Sequence, residues 1–275
     1  MKTMTRGLGG LAAVAAIWGA LALWTPAATA QVVAAPGAYN WTGFYLGANA
    51  GGAAKRQSTR LSVENDPNNY FAPPVIPDVE DRGSFDLDNS GFTGGVQGGY
   101  NRQSGSFVWG VELDFNWFDL TTRHGGGFLY RTNNAPYSLT VKESTDWMLT
   151  ARPRVGWALN RWLLYLTGGI AASHSEFEQT FSEPPFAPNP EKASASKTRV
   201  GWTVGSGIEF AFGRSWSARV EYLYARFGET EVVGRLGGAD GASAAAGSVD
   251  GATFTNRLSP LELHLFRGGV NYHFK

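Results

Sequence analysis

The residues with catalytic chemistry available are few. The histidines stand at 124, 174, 264 and 273, and the chain has no cysteine. That absence removes thiolate nucleophiles, disulfides and cysteine-ligated zinc or iron–sulfur centres. Acyl transfer on a strand needs a hydroxyl nucleophile within hydrogen-bond reach of a histidine, and residues two apart share a strand face. Two residues from His264 lie Glu262 and Phe266, and two from His273 lie Asn271 and Lys275, so neither has a nucleophile at that spacing. Ser173 and Ser175 flank His174, but alternation turns both to the opposite face. His124 precedes Gly125-Gly126-Gly127 and has no serine within two positions. The expectation is a protein that is not an enzyme, with no catalytic residues.

Ligand chemistry is equally sparse. Haem capture would use His, Tyr or Met as axial ligand over an apolar platform, and His124, Phe128, Tyr130 and Tyr137 offer such a set, although ordinary loop composition explains it too. No two histidines fall at i, i+4 or on one strand face, so no metal site is expected. Asp78, Glu80, Asp81, Asp86 and Asp88 offer cation ligands, which a solvated surface loop explains equally well. No cofactor is expected. With 23 basic and 23 acidic side chains the chain has no electrostatic case for nucleic acid.

The elements that would carry these residues are strands. Phe107, Trp109, Val111, Leu113, Phe115 and Trp117 alternate with Gly110, Glu112, Asp114 and Asn116. Trp147, Leu149, Ala151, Pro153, Val155, Trp157 and Leu159 alternate with Thr150, Arg152, Arg154 and Gly156. Val200, Trp202, Val204, Ile208, Phe210 and Phe212 alternate with Arg199, Thr203 and Glu209. Strict period two means strands with one apolar and one polar face. Weaker alternation at 43–54, 91–102, 163–175, 216–227 and 261–274 brings the count to eight, and no window has a helical period.

Alternation also suits a soluble sandwich, so other features must decide. These segments run about 12–15 residues, against the usual 5–6. Their connections alternate: short near 102–105, 160–161 and 213–215, long at 55–90, 120–145, 176–198 and 228–260. Phe107 and Trp117, Trp147 and Trp157, and Trp202 and Phe212 each stand ten residues apart on one face. Ten residues at about 3.3 Å each, tilted by about 40°, climb roughly 25 Å, the height of an apolar band between two aromatic girdles. Trp162 and Trp216 join the girdle beside the short turns. The predicted fold is all-β: an eight-stranded antiparallel transmembrane β-barrel with short periplasmic turns and four long extracellular loops.

Eight strands enclose an interior about filled by side chains. The inward set includes Glu112, Asp114, Arg152, Arg154, Glu209, Arg219, Glu221 and Arg267. Charges withdrawn from water need partners, so these four acids and four bases read as an ion-pair network. A polar pathway for small solutes is the alternative. A three-residue turn at 213–215 sets Glu209 opposite Arg219, Phe212 opposite Trp216 and Ile208 opposite Val220. A two-residue turn at 160–161 sets Leu159 opposite Trp162 and Trp157 opposite Leu164. Pro153, mid-strand, lacks the ladder N–H and predicts a bulge or local break.

Lys2 and Arg6, the apolar run Leu8–Leu23 and the small-x-small site Ala28-Thr29-Ala30 read as an export signal cleaved between Ala30 and Gln31. Removing those two bases leaves 21 against 23 acids, a charge of −2 for the mature chain. The expected organisation is a signal peptide at 1–30, a periplasmic N-terminal arm at 31–40 and a barrel at 41–275. A low-complexity stretch, Ala242–Gly247, falls in the last long connection.

The opening Tyr39-Asn40-Trp41-Thr42-Gly43-Phe44-Tyr45-Leu46-Gly47 closely resembles the "NWTGFYxGxxxG" start of alphaproteobacterial outer-membrane barrel proteins. That family contains immunogenic outer-membrane proteins, haemin-binding relatives and opacity-like "porin family" proteins. Thr167-Gly168-Gly169-Ile170-Ala171, Val220-Glu221-Tyr222-Leu223-Tyr224 and Gly268-Gly269-Val270-Asn271-Tyr272-His273-Phe274 carry the resemblance along the chain in order. It implies an eight-stranded barrel of the bacterial outer membrane, inserted by the barrel-assembly machinery through a C-terminal signal carried here by Tyr272 and Phe274. Lys275, after the terminal aromatic, and Pro153 depart from the pattern. The expected role is a structural, surface-exposed protein contacting outer-membrane lipid and lipopolysaccharide, with an unidentified extracellular ligand at its loops. A narrow porin-like channel and a haemin-binding surface protein are the alternatives.

Overall fold

The computed structural model describes residues 39–65, 71, 73–131, 134–184, 191–236 and 252–274. The expected cleavage at Ala30 and Gln31, residues 31–38 of the arm, the stretch at 242–247 and Lys275 lie outside the described residues. In chain order the elements are β1 (Gly43–Arg56), β2 (Ser58–Asn65), α1 (Ile76–Arg82), β3 (Phe85–Asp86), β4 (Asn89–Ser104), β5 (Phe107–Leu129), β6 (Pro136–Leu159), β7 (Trp162–Ser182), β8 (Glu191–Ala211), β9 (Trp216–Phe227), β10 (Thr230–Leu236), β11 (Ala252–Leu258) and β12 (Glu262–His273).

Eight of these strands close a ring in the order β1-β12-β9-β8-β7-β6-β5-β4, every neighbour antiparallel. The seam joins β1 to β12, and with no free edge every ladder group in the ring has a strand beside it, as a hydrocarbon surround requires. The registers inferred from the turns hold: Glu209 pairs with Arg219, Ile208 with Val220, Leu159 with Trp162, and Trp157 with Leu164. Phe212 N–H donates to the Trp216 carbonyl at 3.1 Å. Gly105 and Asn160 turn two of the short hairpins at φ of 61° and 54°, a region open to glycine and tolerated by asparagine.

The outward face is apolar between the girdles. Leu46, Val111, Leu113, Val155, Leu166, Ile170 and Val220 are all exposed, as are Phe107, Trp117, Trp157, Trp162, Trp202, Phe212 and Trp216. A water-soluble surface rarely carries an apolar belt of this extent. Trp147 is only half-exposed, because its ring stacks against Phe115 and His174. Phe44, Phe92, Phe266 and Tyr222 complete the girdles from strands with weaker alternation.

Two sequence expectations need correction. First, the connections at 120–145 and 176–198 are mostly strand: β5 and β6 continue to Leu129 and Pro136, and β7 and β8 to Ser182 and Glu191. Above the girdle the outward face turns polar, so the alternation fades while the ladder persists. Second, a helix exists: α1 is seven residues, too short to produce a period. Pro153, without its ladder N–H, produces the expected local break and no bulge. The β6–β7 ladder lapses between Ala151 and Arg154 with its register unchanged, and Thr167 Oγ1 donates to the Pro153 carbonyl at 3.0 Å.

The other two long connections supply a second sheet, in the order β10-β11-β2-β3. With α1 it packs against the extended walls of β6 and β7. Leu61, Val63, Phe71, Val75, Val79, Tyr130, Tyr137, Leu139, Phe181 and Phe254 form the resulting core. Five buried apolar residues, Leu87, Val141, Phe177, Val232 and Leu258, form another. At the opposite end Tyr39 and Trp41 are buried beneath Val108, Leu163 and Tyr165. Tyr39, at the end of the expected arm, therefore lies within the barrel mouth.

The barrel interior as candidate functional site

The eight charged side chains singled out by alternation all face inward and are essentially inaccessible, none above 2% exposed. Period two on β5, β6, β8, β9 and β12 delivers them to one level. Arg219 Nη1 donates to Glu112 Oε2 at 2.6 Å, and Arg154 Nη2 to Glu209 Oε2 at 2.7 Å. Arg267 Nη2 reaches Glu221 Oε2 at 2.5 Å and Asp114 Oδ2 at 2.6 Å, while Arg152 donates to Glu112. Arg152 and Arg219 also lie 3.6 and 3.8 Å from Glu221. At that separation the attraction is Coulombic without a hydrogen bond. Four acids and four bases interlock across the lumen, so no charge lacks an opposite neighbour.

Two tyrosines span this layer. Tyr45 donates to Glu112 Oε2 at 2.7 Å and Tyr165 to Glu221 Oε1 at 3.0 Å. The Arg154 guanidinium sits 3.9 Å from the Tyr165 ring centre and 5.5 Å from that of Tyr45, a cation–π arrangement. Glycine opposite each ring makes the room: a Cβ on Gly207 would fall 2.4 Å from the Tyr165 oxygen, and one on Gly99 2.6 Å from that of Tyr45. Asn271 and Ser217 complete Glu209, donating to its Oε1 at 2.7 and 2.5 Å. Asn116 and Asn271 lie on the same inward rows as Asp114 and Arg267, so alternation could have found them. Tyr45 and Tyr165 resemble girdle residues by type, but parity marks them as lumenal, because Phe44, Leu46, Leu164 and Leu166 beside them face outward.

The interior is layered. Below the charges lie Tyr39, Trp41 and His273, with ring centres 4.7–5.7 Å apart. Burial, reinforced by the Glu209 charge, pushes the Tyr39 phenol up to about 12. Above the charges comes an apolar layer of Leu120, Met148, Leu223, Leu263, Leu265 and Phe227. A buried Lys55–Glu143 ion pair follows, with Thr145 and Ser175 beside it, and then the apolar cores under the second sheet.

Spacing along a single strand hides one histidine contact. Ser217 Oγ lies 2.9 Å from His273 Nε2, and Glu209 Oε1 lies 3.4 Å from the same nitrogen. The register brings Ser217 beside His273 across the β9–β12 ladder, which same-strand spacing does not reveal. The hydroxyl is already donated to Glu209 and the group is buried under Tyr39 and Trp41. A triad uses carboxylate and nucleophile on opposite ring nitrogens; here both meet Nε2.

The other candidate ligands are dispersed. His124 stacks on Phe85 at 4.0 Å, whereas Tyr130 and Tyr137 stack on each other at 4.3 Å inside the core. No open haem platform joins them. Of the acidic first-connection residues, Asp78 pairs with Arg131 at 3.0 Å, Glu80 accepts the Val63 N–H and Asp88 accepts the Gln57 N–H. They hold the second sheet and α1 in place and do not converge.

The outer membrane protein beta-barrel domain model matches residues 20–274. The 31 kDa outer-membrane immunogenic protein of Brucella melitensis is 30% identical over 86% of this chain and 85% of its own length. The 25 kDa outer-membrane immunogenic protein of the same organism is 26% identical over 90% and 86%. Among solved structures, the outer membrane protein OprG of Pseudomonas aeruginosa aligns over 86% of this chain and 99% of its own, at 14% identity and a TM-score of 0.45. The chain belongs to the outer-membrane β-barrel family and is a protein of the bacterial outer membrane.

Proposed function

We propose that this member of the outer-membrane β-barrel family is a closed, non-catalytic surface protein: the barrel anchors it and the outward sheet is its interaction face. The observation that carries the reading is the layered interior, with aromatic, ionic, apolar, ionic and apolar strata in succession. An ion crossing it would have to break a network in which every charge has an opposite neighbour and pass two apolar layers. Either step costs several kcal/mol.

Outside the membrane the second sheet presents a groove of about 660 Å³ lined by Arg60, Asp86, Glu229 and Arg257 among other polar residues. This supports a polar extracellular ligand better than an apolar one. Lipid and lipopolysaccharide would contact the belt, and the barrel-assembly machinery would recognise the last strand, which ends in Tyr272 and Phe274. A haemin-binding role gains no support from Phe128, Tyr130 and Tyr137, which are used in packing.

The test is single-channel conductance of the refolded chain from Gln31 in a planar bilayer, after heat-dependent gel mobility has verified folding. Folded protein without discrete steps is the expected result. Reproducible steps that shift on Glu112→Gln would replace this reading with the narrow-channel one.

A further inference from the structure

The β6–β7 ladder slips once, pairing Thr145 with Ser175 and then Trp147 with His174, which leaves Asp146 as a surplus residue. The β5–β6 ladder slips at the same level, between Trp117 and Leu120. Bulges of this kind re-aim a side chain. Here Thr145 and Met148 both stay buried inside, while Asp146 and Trp147 occupy the outer face. Asp146 thus joins His174 and Glu176, which alternation already sets together on the outer face of β7. One ligand atom from each of the three lies within 4.8 Å of the others.

Two features make this more than a surface cluster. Among the described residues neither Asp146 nor Glu176 has an ion pair or side-chain hydrogen bond, so two carboxylates and an imidazole converge without a counter-ion. The imidazole is also held in place. Its ring stacks parallel on Trp147, with a centre separation of 5.7 Å and an angle of 5°. Nδ1 lies 3.2 Å from Thr198 Oγ1 and Nε2 3.1 Å from Ser196 Oγ. Whichever nitrogen takes a ligand, the other keeps a hydroxyl partner, the arrangement that orients metal-bound histidines.

We propose that Asp146, His174 and Glu176 form a divalent transition-metal site of the zinc class on the outer face of the barrel, just above the extracellular girdle. One imidazole with two carboxylates suits zinc-class ions, whereas calcium and magnesium take oxygen ligands. Tetrahedral bonds of about 2.1 Å set ligand atoms about 3.4 Å apart. The partly exposed side chains therefore close by up to about 1.4 Å on binding, a change of rotamer. Three protein ligands leave at least one coordination position facing outward.

The experiment is zinc titration by calorimetry of the refolded chain in detergent, repeated with cobalt to read its visible absorption. One zinc per chain is expected, unaffected by excess magnesium. His174→Ala and the pair Asp146→Asn with Glu176→Gln should each weaken it at least tenfold, while His124→Ala should not. All these positions lie outside the buried interior, and heat-dependent mobility verifies that each variant folds. Glu176→Gln alone, at an exposed position, serves if another variant does not. Absence of saturable zinc binding, or binding that these variants leave unchanged, overturns the proposal. Either result is independent of whether the barrel conducts.

Discussion

Glu209 and Arg219 are directly opposed in the β8–β9 ladder, yet neither is the other's ion-pair partner: Glu209 takes Arg154 at 2.7 Å and Arg219 takes Glu112 at 2.6 Å. Arg219 crosses the lumen from β9 to β5 and Arg154 reaches two strands along the ring, whereas Arg152 with Glu112 and Arg267 with Glu221 are ion pairs between direct ladder neighbours. At Glu209 and Arg219, adjacency sets the level of a charge and reach sets its partner. A double-mutant cycle separates the two. Glu112→Gln with Arg219→Met should show a coupling of about 2 kcal/mol or more in urea unfolding from detergent, since breaking one side of a buried pair costs about 3–5 kcal/mol. The Glu209→Gln and Arg219→Met cycle should couple by less than about 1 kcal/mol. The reverse order would mean that Glu209 and Arg219 pair with each other across the ladder.

Much of the spanning barrel was legible in the sequence because lipid imposes a strict rule on one face. Trp109, Val111 and Leu113 outward and Glu112 and Asp114 inward follow from parity alone, and the short turns at 160–161 and 213–215 fix two registers. What parity cannot supply is a partner across the lumen. Arg267 with Asp114, or Tyr45 with Glu112, have no fixed offset in the chain. Above the girdle the rule lapses, because β5–β8 are wet outside while Leu139, Val141 and Phe181 are dry inside. The alternation is then too weak to separate strand from loop. The proximity of Asp146 to His174 and Glu176 is hidden for a related reason: a bulge breaks parity, so the offset that brings them together is not in the sequence.

The lipid-facing stripe has a direct test at Val155, which is outward and exposed between the Trp147 and Trp157 girdle positions. Val155→Arg should destabilise the protein refolded in lipid by about 1–2 kcal/mol, because two residues from Trp157 it lies between the midplane, where the cost is about 2–4 kcal/mol, and the interface, where it falls to about 0–1. Arg154, its neighbour, is buried and paired, so the same charge one residue away is tolerated only because it faces inward. A neutral effect at Val155 would contradict the orientation of β6.

Gly207 tests how tightly the lumen is filled. Its missing side chain is the space that the Tyr165 ring occupies, and Tyr165 in turn covers Arg154. Gly207→Val should cost about 1–3 kcal/mol through overpacking, and more if Tyr165 is displaced from Arg154. Pairing it with Tyr165→Ala should recover part of the loss, because the ring that clashes is gone. Unchanged stability in Gly207→Val would mean that the lumen holds free space at this level.

The extracellular sheet is predicted to fail before the barrel does. Phe181 and Phe254 pack edge to face at 5.6 Å, and both are nearly inaccessible within the core. Either truncated to Ala should cost about 3–5 kcal/mol. That loss falls on β2, β10, β11 and α1, which have no lipid belt to hold them. Limited proteolysis should then cut between residues 58 and 88 or between 228 and 261 while heat-dependent mobility persists. Simultaneous loss of both signals would make the sheet and barrel one cooperative unit.

Alkaline titration reads the two ends of the molecule at once. Tyr39 closes the periplasmic mouth, and Tyr137 lies ten residues beyond Trp147, roughly 25 Å above the girdle. Burial raises both phenols to about 12, with Glu209 adding to the rise at Tyr39 and Asp78 at Tyr137. A raised folded value means that the unfolded chain loses its proton first. Stability is therefore complete below pH 10 and is lost as pH rises through 10 towards 12. Absorbance at phenolate wavelengths should show these two tyrosines silent at pH 11 in the folded protein and titrating normally in urea. Tyr137→Phe should remove part of the alkaline destabilisation, leaving the part due to Tyr39. Titration of all ten tyrosines near pH 10 would mean that both mouths admit water, against the closed barrel proposed above.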